Sequence, residues 1–528
     1  MEKLPCSIFN DVLGPVMRGP SSSHVAGAAR IAALIRQSLG NDVKKVVCDF
    51  DVNGSLAASH TGHGSDMGFA CGLLDIPLAS PEVDRYEELL KEKNIDVEYR
   101  ILDYGAVHPG NYRVSAEGKN GKKRNWEAIS IGGGMVEMQK LDGFKVQIQG
   151  DFYELLVYFD LSQKALSAFQ SAADRILPPY EFRLPDENGK KAIVNWKFAH
   201  PLSPELVKKI SGMTGVTDCF TLDPVLPTLS SKESNVPFSS AEQLINYSKR
   251  HEPMDAWKYA TLYEMRRGGK SENEVIKQMD EILSIMEKAV DTGLRGTQYR
   301  DRILGVQCSK IEEEKKRLVP DPLVNAVIAQ ITAVMECKSS MGVIVAAPTC
   351  GSCGCLPGTL LGMAKMLGWS RQQLIEGLFV AGLVGVFFAE QATFSAEVAG
   401  CQVECGAASG MTADAIAAIM GGSIQECLDA ASVALQNITG LACDPVGNRV
   451  EVPCLGKNIM AGTNAIASAN MILAGYDKVI PLDETIKAIL EIGLSLPLEL
   501  RCTFGGLGKT KTAREILKKT ERHFLPEE

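Results

Sequence analysis

Along the first 225 residues, short apolar runs typical of strands alternate with stretches whose apolar spacing is helical. HVAGAARIAALIRQSL predicts an amphipathic helix, and VKKVVCDFDVNGSL and IDVEYRILDY predict strands on its C-terminal side. Residues 1–145 are therefore predicted to form an α/β domain.

The next segment, residues 146–225, repeats a strand–helix–strand pattern twice. The pattern runs through YELLVYFD, LSAFQSAADRIL, KAIVNWKFAH, PELVKKISGMTGV and TDCFTLDPV. A unit of this size and order resembles an ACT-type regulatory module, an α+β fold. Residues 226–238 are rich in Ser and Pro and predict a linker.

From residue 239 to the C-terminus the apolar spacing is almost entirely helical. Ser239 and Glu242 fit a capping box that opens this region. Helices are predicted over KYATLYEM, QMDEILSIMEKAV, VNAVIAQITAVMEC, IEGLFVAGLVGVFFAE, AIASANMILAGY and TIKAILEIGL. Residues 239–528 are thus predicted to form a mostly helical domain, and the fold class is a multidomain α/β plus all-α protein.

The net charge and the lengths of the apolar runs argue against some classes of partner. The chain has 528 residues and a net charge of −9, which argues against a nucleic-acid-binding surface or a basic membrane patch. The N-terminus lacks the pattern of a signal peptide. Residues 339–364 are interrupted by Pro348 and Pro357, and the apolar run from Gly377 to Ala389 is too short to cross a bilayer. We therefore expect a cytoplasmic protein with no membrane or nucleic-acid partner.

The chain contains fifteen cysteines, an odd number that fits reduced thiols inside a cell better than disulfides. Nine of them lie between residues 350 and 502, and this clustering requires a chemical explanation. They are Cys350, Cys353, Cys355, Cys401, Cys405, Cys427, Cys443, Cys454 and Cys502.

Two motifs in the N-terminal region offer polar groups to a ligand. The segment from Gly19 to His24 places three serines ahead of a helix, which favours either an anion site or a simple N-cap. The loop from Gly54 to Asp66 carries His60 and His63 beside Ser, Thr and Asp. A lone histidine is more often structural, but this pair favours function, and no nearby Cys or Glu completes a zinc site.

Two further motifs concern the cysteines. The segment from Ala347 to Gly358 contains C-x-x-C-x-C in a Gly-rich loop, which is typical either of metal binding or of close packing. Cys401, Cys443 and Cys454 are separated by 42 and 11 residues, each in a turn marked by Gly or Pro. Thiolates on converging loops can hold three irons of a four-iron cluster, although the spacing alone leaves this open.

Together these motifs resemble the iron–sulfur-dependent L-serine dehydratases (L-serine ammonia-lyases) over nearly the whole chain. GPSSSHVAGAARIAALIRQSLG, GSLAASHTGHGSDMGFACGLLD, AVHPGN and SIGGGMVEM resemble that family's β-type domain. AAPTCGSCGCLPGTL, GCQVECGAASGM, ITGLACDPVGNRVEVPCLGKN and GTNAIASANMILAG resemble its α-type domain. The resemblance implies one fused chain in the order β-type, ACT-like, α-type.

The resemblance also implies an activity and a set of site residues. It implies a [4Fe-4S] cluster on Cys401, Cys443 and Cys454, oxygen sensitivity, and conversion of L-serine to pyruvate and ammonia in amino-acid catabolism and gluconeogenesis. It gives His63 as the base and Ser23, His24 and Lys457 as further catalytic candidates. The implied substrate-binding residues are Ser21, Ser22, Ser55, Thr349, Gly351, Ser352 and Asn458. A homo-oligomer, by default a dimer, is expected.

Several cysteines depart from the pattern of the resembled family. Cys350, Cys353, Cys355, Cys405 and Cys502 stand where that family has other residues. Two alternatives therefore stay open. One is a related lyase for threonine, cysteine or a hydroxy acid, and the other is a non-catalytic iron–sulfur or redox-sensing protein.

Overall fold

The computed structural model describes residues 3–299, 302–503 and 505–520. The extreme ends of the first and last predicted domains, residues 1–2 and 521–528, lie outside the described residues.

The N-terminal region is built on a six-stranded mixed sheet. Its elements are β1 (Val16–Met17), α1 (Gly27–Ser38), β2 (Val43–Asp51), α2 (Ser55–Ser59), α3 (Ser65–Leu74), α4 (Tyr86–Glu92), β3 (Asp96–Leu102), β4 (Asn111–Gly118), β5 (Lys123–Gly132), β6 (Met135–Leu141) and β7 (Phe144–Ile148). The strand order is β3-β2-β4-β5-β6-β7, in which β2 and β3 are parallel and the other neighbours are antiparallel. The predicted strands over 43–51 and 96–102 and the helix α1 are confirmed.

The sequence did not predict strands β4 to β7. Along β5 the side chains of Trp126, Ala128 and Ser130 are buried, whereas Lys123 and Glu127 are exposed. Because charged residues fill the outward positions, no continuous apolar run marks the strand.

The second sheet has the predicted two strand–helix–strand halves. Its elements are β8 (Tyr153–Asp160), α5 (Leu166–Asp174), β9 (Phe182–Asn188), β10 (Lys191–Phe198), α6 (Pro204–Ser211) and β11 (Val216–Leu222). The antiparallel order β11-β8-β10-β9 is that of a ferredoxin-like βαββαβ unit. Strand β9 was not predicted because it is an edge strand that contains Pro185 and buries little of its surface.

The C-terminal region is helical, so the predicted fold class is confirmed. Its elements are α7 (Ala241–Ser248), α8 (Ala256–Gly268), α9 (Glu272–Leu294), α10 (Lys310–Glu313), α11 (Pro322–Ser339), β12 (Ile344–Val345), α12 (Cys355–Leu367), α13 (Arg371–Gln391), α14 (Ala396–Ala399), α15 (Cys405–Ile419), α16 (Ile424–Asn437), α17 (Cys454–Leu473), α18 (Leu482–Ser495) and α19 (Lys511–Thr520). The first cap lies one residue later than predicted, because Ser240 rather than Ser239 accepts from the Gln243 N–H.

Helix α13 is longer than the apolar run read from the sequence. Among the described residues it is the one helix long and apolar enough to cross a membrane, yet 78% of the relevant window is buried inside the protein. This confirms the prediction of buried core for that run.

The first residues of the chain pack on the same helix. A Cβ atom at Gly385 would lie 2.1 Å from Cγ1 of Val12, so only glycine permits this approach. Strand β1 pairs with β12, with Val16 opposite Val345. The N-terminal segment thereby joins the helical region to the six-stranded sheet.

Candidate active site

Cys401 and Cys443, which are buried, form a group with the part-buried Glu404 in the helical region. One ligand atom from each, two Sγ atoms and a carboxylate oxygen, lies within 4.8 Å of the others. Gly400 precedes them with a φ of +76°, an angle that favours glycine and turns the chain after α14. The Cys401 thiol donates to Oε2 of Glu404 at 3.6 Å. The structure thus brings together two of the three predicted cluster cysteines and adds a carboxylate.

Cys454 begins helix α17, where free backbone N–H groups and the helix dipole favour a thiolate. The side chain is buried, and burial raises its pKa to about 12, while Lys338 lowers it and Cys401 raises it further. Its side chain packs in the large apolar core of the helical region, whereas Cys401 and Cys443 form a separate buried cluster with Cys502.

Lys457 ties the start of α17 to the loop that carries Cys443. Its Nζ donates to the Ala442 carbonyl at 2.6 Å and to Oδ1 of Asp444 at 2.8 Å. In this arrangement the ammonium holds two segments of chain in position beside the thiols.

Cys502 lies at the same place. The chain there runs alongside Cys443, whose N–H donates to the Leu500 carbonyl at 2.8 Å and whose carbonyl accepts from the Cys502 N–H at 2.9 Å. The side chains of Cys443 and Cys502 pack in one buried cluster with Cys401. Cys502 was not predicted as a site residue, because nothing in its spacing along the chain links it to Cys443.

These donors fit an iron–sulfur cluster. The three predicted ligands come from separate segments, are buried, and take part in no disulfide. Soft thiolate donors of this kind select iron–sulfur clusters over hard cations. Their burial also leaves the thiols without water, so a metal would satisfy them.

His63 faces this group from the N-terminal region. Its Nδ1 lies 3.8 Å from Sγ of Cys502, and its Nε2 is buried with no hydrogen-bond partner among the described residues. Burial, and then the charges of His24 and Arg449, hold the pKa of His63 well below its ordinary value. The imidazole is therefore neutral at neutral pH, with a nitrogen able to accept a proton.

His24 lies beside His63, with ring centroids 4.8 Å apart. Its Nδ1 lies 2.9 Å from Oγ of Ser21 and 3.4 Å from Oε1 of Glu397, and its Nε2 lies 2.7 Å from Oγ of Ser59. Ser23 also donates to Glu397, at 2.9 Å. The serine motif therefore orients a buried His–Glu pair next to His63.

Two other serines that were predicted to bind substrate are hydrogen-bonded to backbone groups. Oγ of Ser22 accepts from the Cys350 N–H at 3.2 Å and so connects the serine motif to the Cys-rich loop. Ser55 donates to the Pro109 carbonyl at 3.2 Å, and its own carbonyl accepts from Ser59.

The loop from Thr349 to Ser352 reaches the cysteine group through Glu404. Thr349 donates to Oε1 of Glu404 at 2.7 Å, and a Cβ at Gly351 would lie 3.0 Å from that oxygen. Ser352 donates to the Ala347 carbonyl at 3.1 Å and stabilises the loop. Burial raises the pKa of Glu404 to about 7.

Asn458 fastens this loop to helix α17. Its Oδ1 accepts from the N–H groups of Gly354 and Cys355, at 3.1 and 3.0 Å. Its Nδ2 donates to the carbonyls of Gly351 and Cys454, at 2.7 and 2.8 Å. The predicted motifs thus converge on one site.

Comparison with known proteins agrees with this convergence. A family model described as serine dehydratase alpha chain matches residues 251–507, and one described as serine dehydratase beta chain matches residues 11–105. The "Probable L-serine dehydratase, alpha chain" of Bacillus subtilis (strain 168) is 38% identical over 285 residues, which are 53% of this chain and 95% of the relative. The chain belongs to the serine dehydratase family.

Full-length relatives have the same arrangement in one chain. The "L-serine dehydratase" of Helicobacter pylori is 26% identical over 512 residues, 93% of this chain and 96% of the relative. "L-serine dehydratase 2" of Escherichia coli (strain K12) is 25% identical over 500 residues, 92% and 95% of the two chains. The predicted fused serine dehydratase, with β-type before α-type sequence, is confirmed.

The Cys-rich loop of this serine dehydratase family member is packed tightly. Cys350, Cys353 and Cys355 are fully buried. Sγ of Cys350 lies 3.4 Å from Sδ of Met17, and Sγ of Cys355 lies 3.6 Å from Oγ1 of Thr412. These contacts favour packing over a metal site in the loop.

Sequence reasoning missed four polar residues of the site: Glu397, Glu404, Lys338 and Arg449. Lys338 is 1% exposed, and its Nζ donates to the Val450 carbonyl. It lines a cavity with Arg449 and with Gly62, the neighbour of His63. The available signal was a single lysine at the end of helix α11, whose other residues are mostly apolar.

Proposed function

We propose that this chain is an iron–sulfur L-serine ammonia-lyase that converts L-serine to pyruvate and ammonia. The observation that carries the proposal is the group of Cys401, Glu404 and Cys443, which Cys502 connects to a neutral His63. Membership of the serine dehydratase family supports the same reaction.

In this proposal Cys401, Cys443 and Cys454 hold a [4Fe-4S] cluster. Such a cluster with one open iron supplies a Lewis acid for the β-hydroxyl of the substrate. The hydrogen bonds of Lys457 and Asn458 keep the segments bearing Cys443 and Cys454 in register.

His63 accepts the α-proton of the substrate at Nε2. This nitrogen has no partner among the described residues, and the depressed pKa keeps it unprotonated. His24 lies next to His63 and is paired with Glu397. Ser21 is hydrogen-bonded to His24, and Ser23 donates to Glu397.

The substrate's carboxylate and amino groups bind between the serine motif and the Thr349–Ser352 loop. Lys338 adds a buried positive charge to the cavity beside His63. Loss of the α-proton and of hydroxide leaves an enamine, which becomes an imine and takes up water to release ammonia and pyruvate. The burial of His24 and His63 keeps bulk water away from the proton transfer.

A substrate panel tests the proposal. Protein purified without oxygen and with its cluster intact is given L-serine, L-threonine, L-cysteine and 2-hydroxy acids, and 2-oxo acid and ammonia are measured together. The proposal expects equal amounts of pyruvate and ammonia from L-serine at the highest kcat/KM. Preference for another substrate would contradict the proposal and indicate a related lyase. No turnover by cluster-loaded protein would contradict it and indicate a redox-sensing protein.

The same proposal places the protein in the cytoplasm as a homodimer. Fifteen unpaired cysteines fit a reducing compartment. Light scattering on the cluster-loaded protein tests the oligomeric state, and a monomer would contradict that part.

A further inference from the structure

A second cleft lies away from the candidate active site, where the N-terminal sheet region meets helix α9. It has a volume of about 450 Å³. Its walls come from α1, α3 and α9 and from short segments around residues 13–16, 76–78 and 225–227. It shares no lining residue with the cavity beside His63.

Arg30 lies at the floor of this cleft with an exposed fraction of 8%. Its Nη1 donates to the Gly134 carbonyl at 2.5 Å and contacts Sδ of Met135 at 3.5 Å. Across the described part of the chain the guanidinium has no ion-pair partner, and Asp11 is the one carboxylate that influences it. Arginine stays charged when buried, and it has five N–H donors, most of which are unused here.

A buried cation without a counter-ion costs free energy. Burial accordingly lowers the pKa of Arg30 to about 10. A guanidinium is recognised best by a planar anion that accepts two parallel hydrogen bonds, which is the geometry of a carboxylate. The missing partner of Arg30 is therefore an anion of that shape.

The walls of the cleft define the rest of the ligand. Leu13, Val16, Leu78 and Ile282 make most of the surface above Arg30 apolar. A small apolar body attached to the carboxylate fits such walls, whereas inorganic phosphate does not.

Two acidic residues stand at the edge of the cleft. Asp75 is already paired with Arg36 at 2.6 Å. Among the described residues, the one ion pair of Glu281 is with Lys277 on the preceding turn of α9, at 4.0 Å. Glu281 is thus free to accept an ammonium group.

We propose that this cleft is a binding site for a small aliphatic carboxylate, held by Arg30 at its floor. Two sources share this chemistry, an aliphatic amino acid and its 2-oxo acid. Glu281 distinguishes them because it attracts the ammonium of an amino acid and repels a second acidic group. The site does not depend on the proposed lyase reaction.

Occupation of the cleft connects to the candidate active site through packed helices. A Cβ at Gly293 of α9 would lie 2.0 Å from the Ala333 carbonyl of α11, so these helices are in direct contact. Helix α11 carries Lys338 at its C-terminal end. Helix α9, which lines the cleft, therefore packs directly on the helix that carries Lys338.

The test is calorimetry and thermal unfolding on full-length, cluster-loaded protein. The probes are L-valine, 3-methyl-2-oxobutanoate, L-valinol, which lacks the carboxylate, and inorganic phosphate. We expect one or both carboxylates to bind and to raise the Tm, and L-valinol and phosphate to have no effect. No binding of either carboxylate at millimolar concentration would overturn the proposal.

Variants locate the binding. Arg30→Met is expected to weaken binding at least about tenfold and Arg30→Lys less, because a charge-assisted hydrogen bond is lost or distorted. Ala33→Leu fills the cleft from α1 while it keeps the Arg30 guanidinium, and it serves if Arg30→Met fails to fold. If the ligand is an amino acid, Glu281→Gln weakens the binding of L-valine and does not weaken the binding of 3-methyl-2-oxobutanoate. Arg85→Met, at an exposed site, is the matched control.

Competition separates the cleft from the active site. Binding that persists in saturating L-serine and is lost in Ala33→Leu supports the proposal. Binding that L-serine displaces and that Ala33→Leu leaves unchanged would assign the ligand to the active site and overturn it.

Discussion

The thiol of Cys502 lies 3.8 Å from Nδ1 of His63, so a residue close to the C-terminus contacts the proposed base across 439 positions of the chain. Because Nε2 of His63 has no partner among the described residues, this contact orients the ring. Cys502 also packs against Cys443, and its N–H donates to the Cys443 carbonyl at 2.9 Å. Cys502 therefore links the proposed base to the proposed cluster ligands.

Replacement of Cys502 tests this orienting contact. We expect Cys502→Ala to lower kcat about tenfold, as loss of a residue that orients a functional group often does, while iron content stays unchanged. Cys502→Ser, which keeps a polar atom, should retain more activity. Unchanged kcat in Cys502→Ala would show that His63 is oriented by other contacts.

Replacement of His63 is expected to lower kcat more than replacement of Cys502. Removal of a general base costs between about 10²- and 10⁴-fold in rate, so His63→Ala should lower kcat by that factor and leave the cluster absorbance intact. His251→Ala is the matched control, because His251 is exposed and stacks on Tyr247 at 3.8 Å. Normal turnover in His63→Ala would exclude it as the base.

Stability should depend on pH through the same histidine. Burial holds the pKa of folded His63 well below its ordinary value, so in acid the unfolded chain binds a proton that the folded protein does not. The stabilisation due to neutral His63 is present above the unfolded pKa of about 6.5 and is lost as the pH falls through the folded pKa. Urea unfolding of His63→Gln should therefore show a weaker loss of free energy on acidification than wild type. An equal loss in the two proteins would contradict this role.

Lys338 should control substrate affinity. Its buried ammonium lines the cavity beside His63, and a carboxylate substrate is its natural counter-ion. We expect Lys338→Met to raise KM for L-serine roughly tenfold with a smaller change in kcat, and Lys338→Arg to recover part of the affinity. Lys365→Met, at an exposed site on α12, is the control. A fall in kcat at constant KM would assign Lys338 a different role.

The sequence predicted the regular parts of the fold because their apolar periodicity is strong. Helices such as α9 and α11 and the buried strand β2 follow directly from that spacing. Strands β5 and β9 escaped prediction because β5 alternates charged with apolar residues and β9 is a polar edge strand with Pro185. Neither has the continuous apolar run that distinguishes a buried strand.

The site was predictable only where its residues occur in local motifs. His63 and Cys443 lie in short Gly- or Pro-marked segments that carry their own signal. Lys338 and Cys502 enter through contacts between distant segments, such as the one between Cys502 and Cys443. Sequence spacing contains no record of such contacts, so these residues became evident only in the folded chain.

The cluster content of single cysteine variants tests the central claim most directly. Cys401→Ala, Cys443→Ala and Cys454→Ala are purified without oxygen beside Cys427→Ala, a matched control whose cysteine is fully buried in α16. Iron, acid-labile sulfide and visible absorbance are measured together with pyruvate formation from L-serine. The three ligand variants are predicted to lose both the absorbance and the turnover, and Cys427→Ala is predicted to keep both. Full absorbance and full turnover in Cys401→Ala would contradict the account.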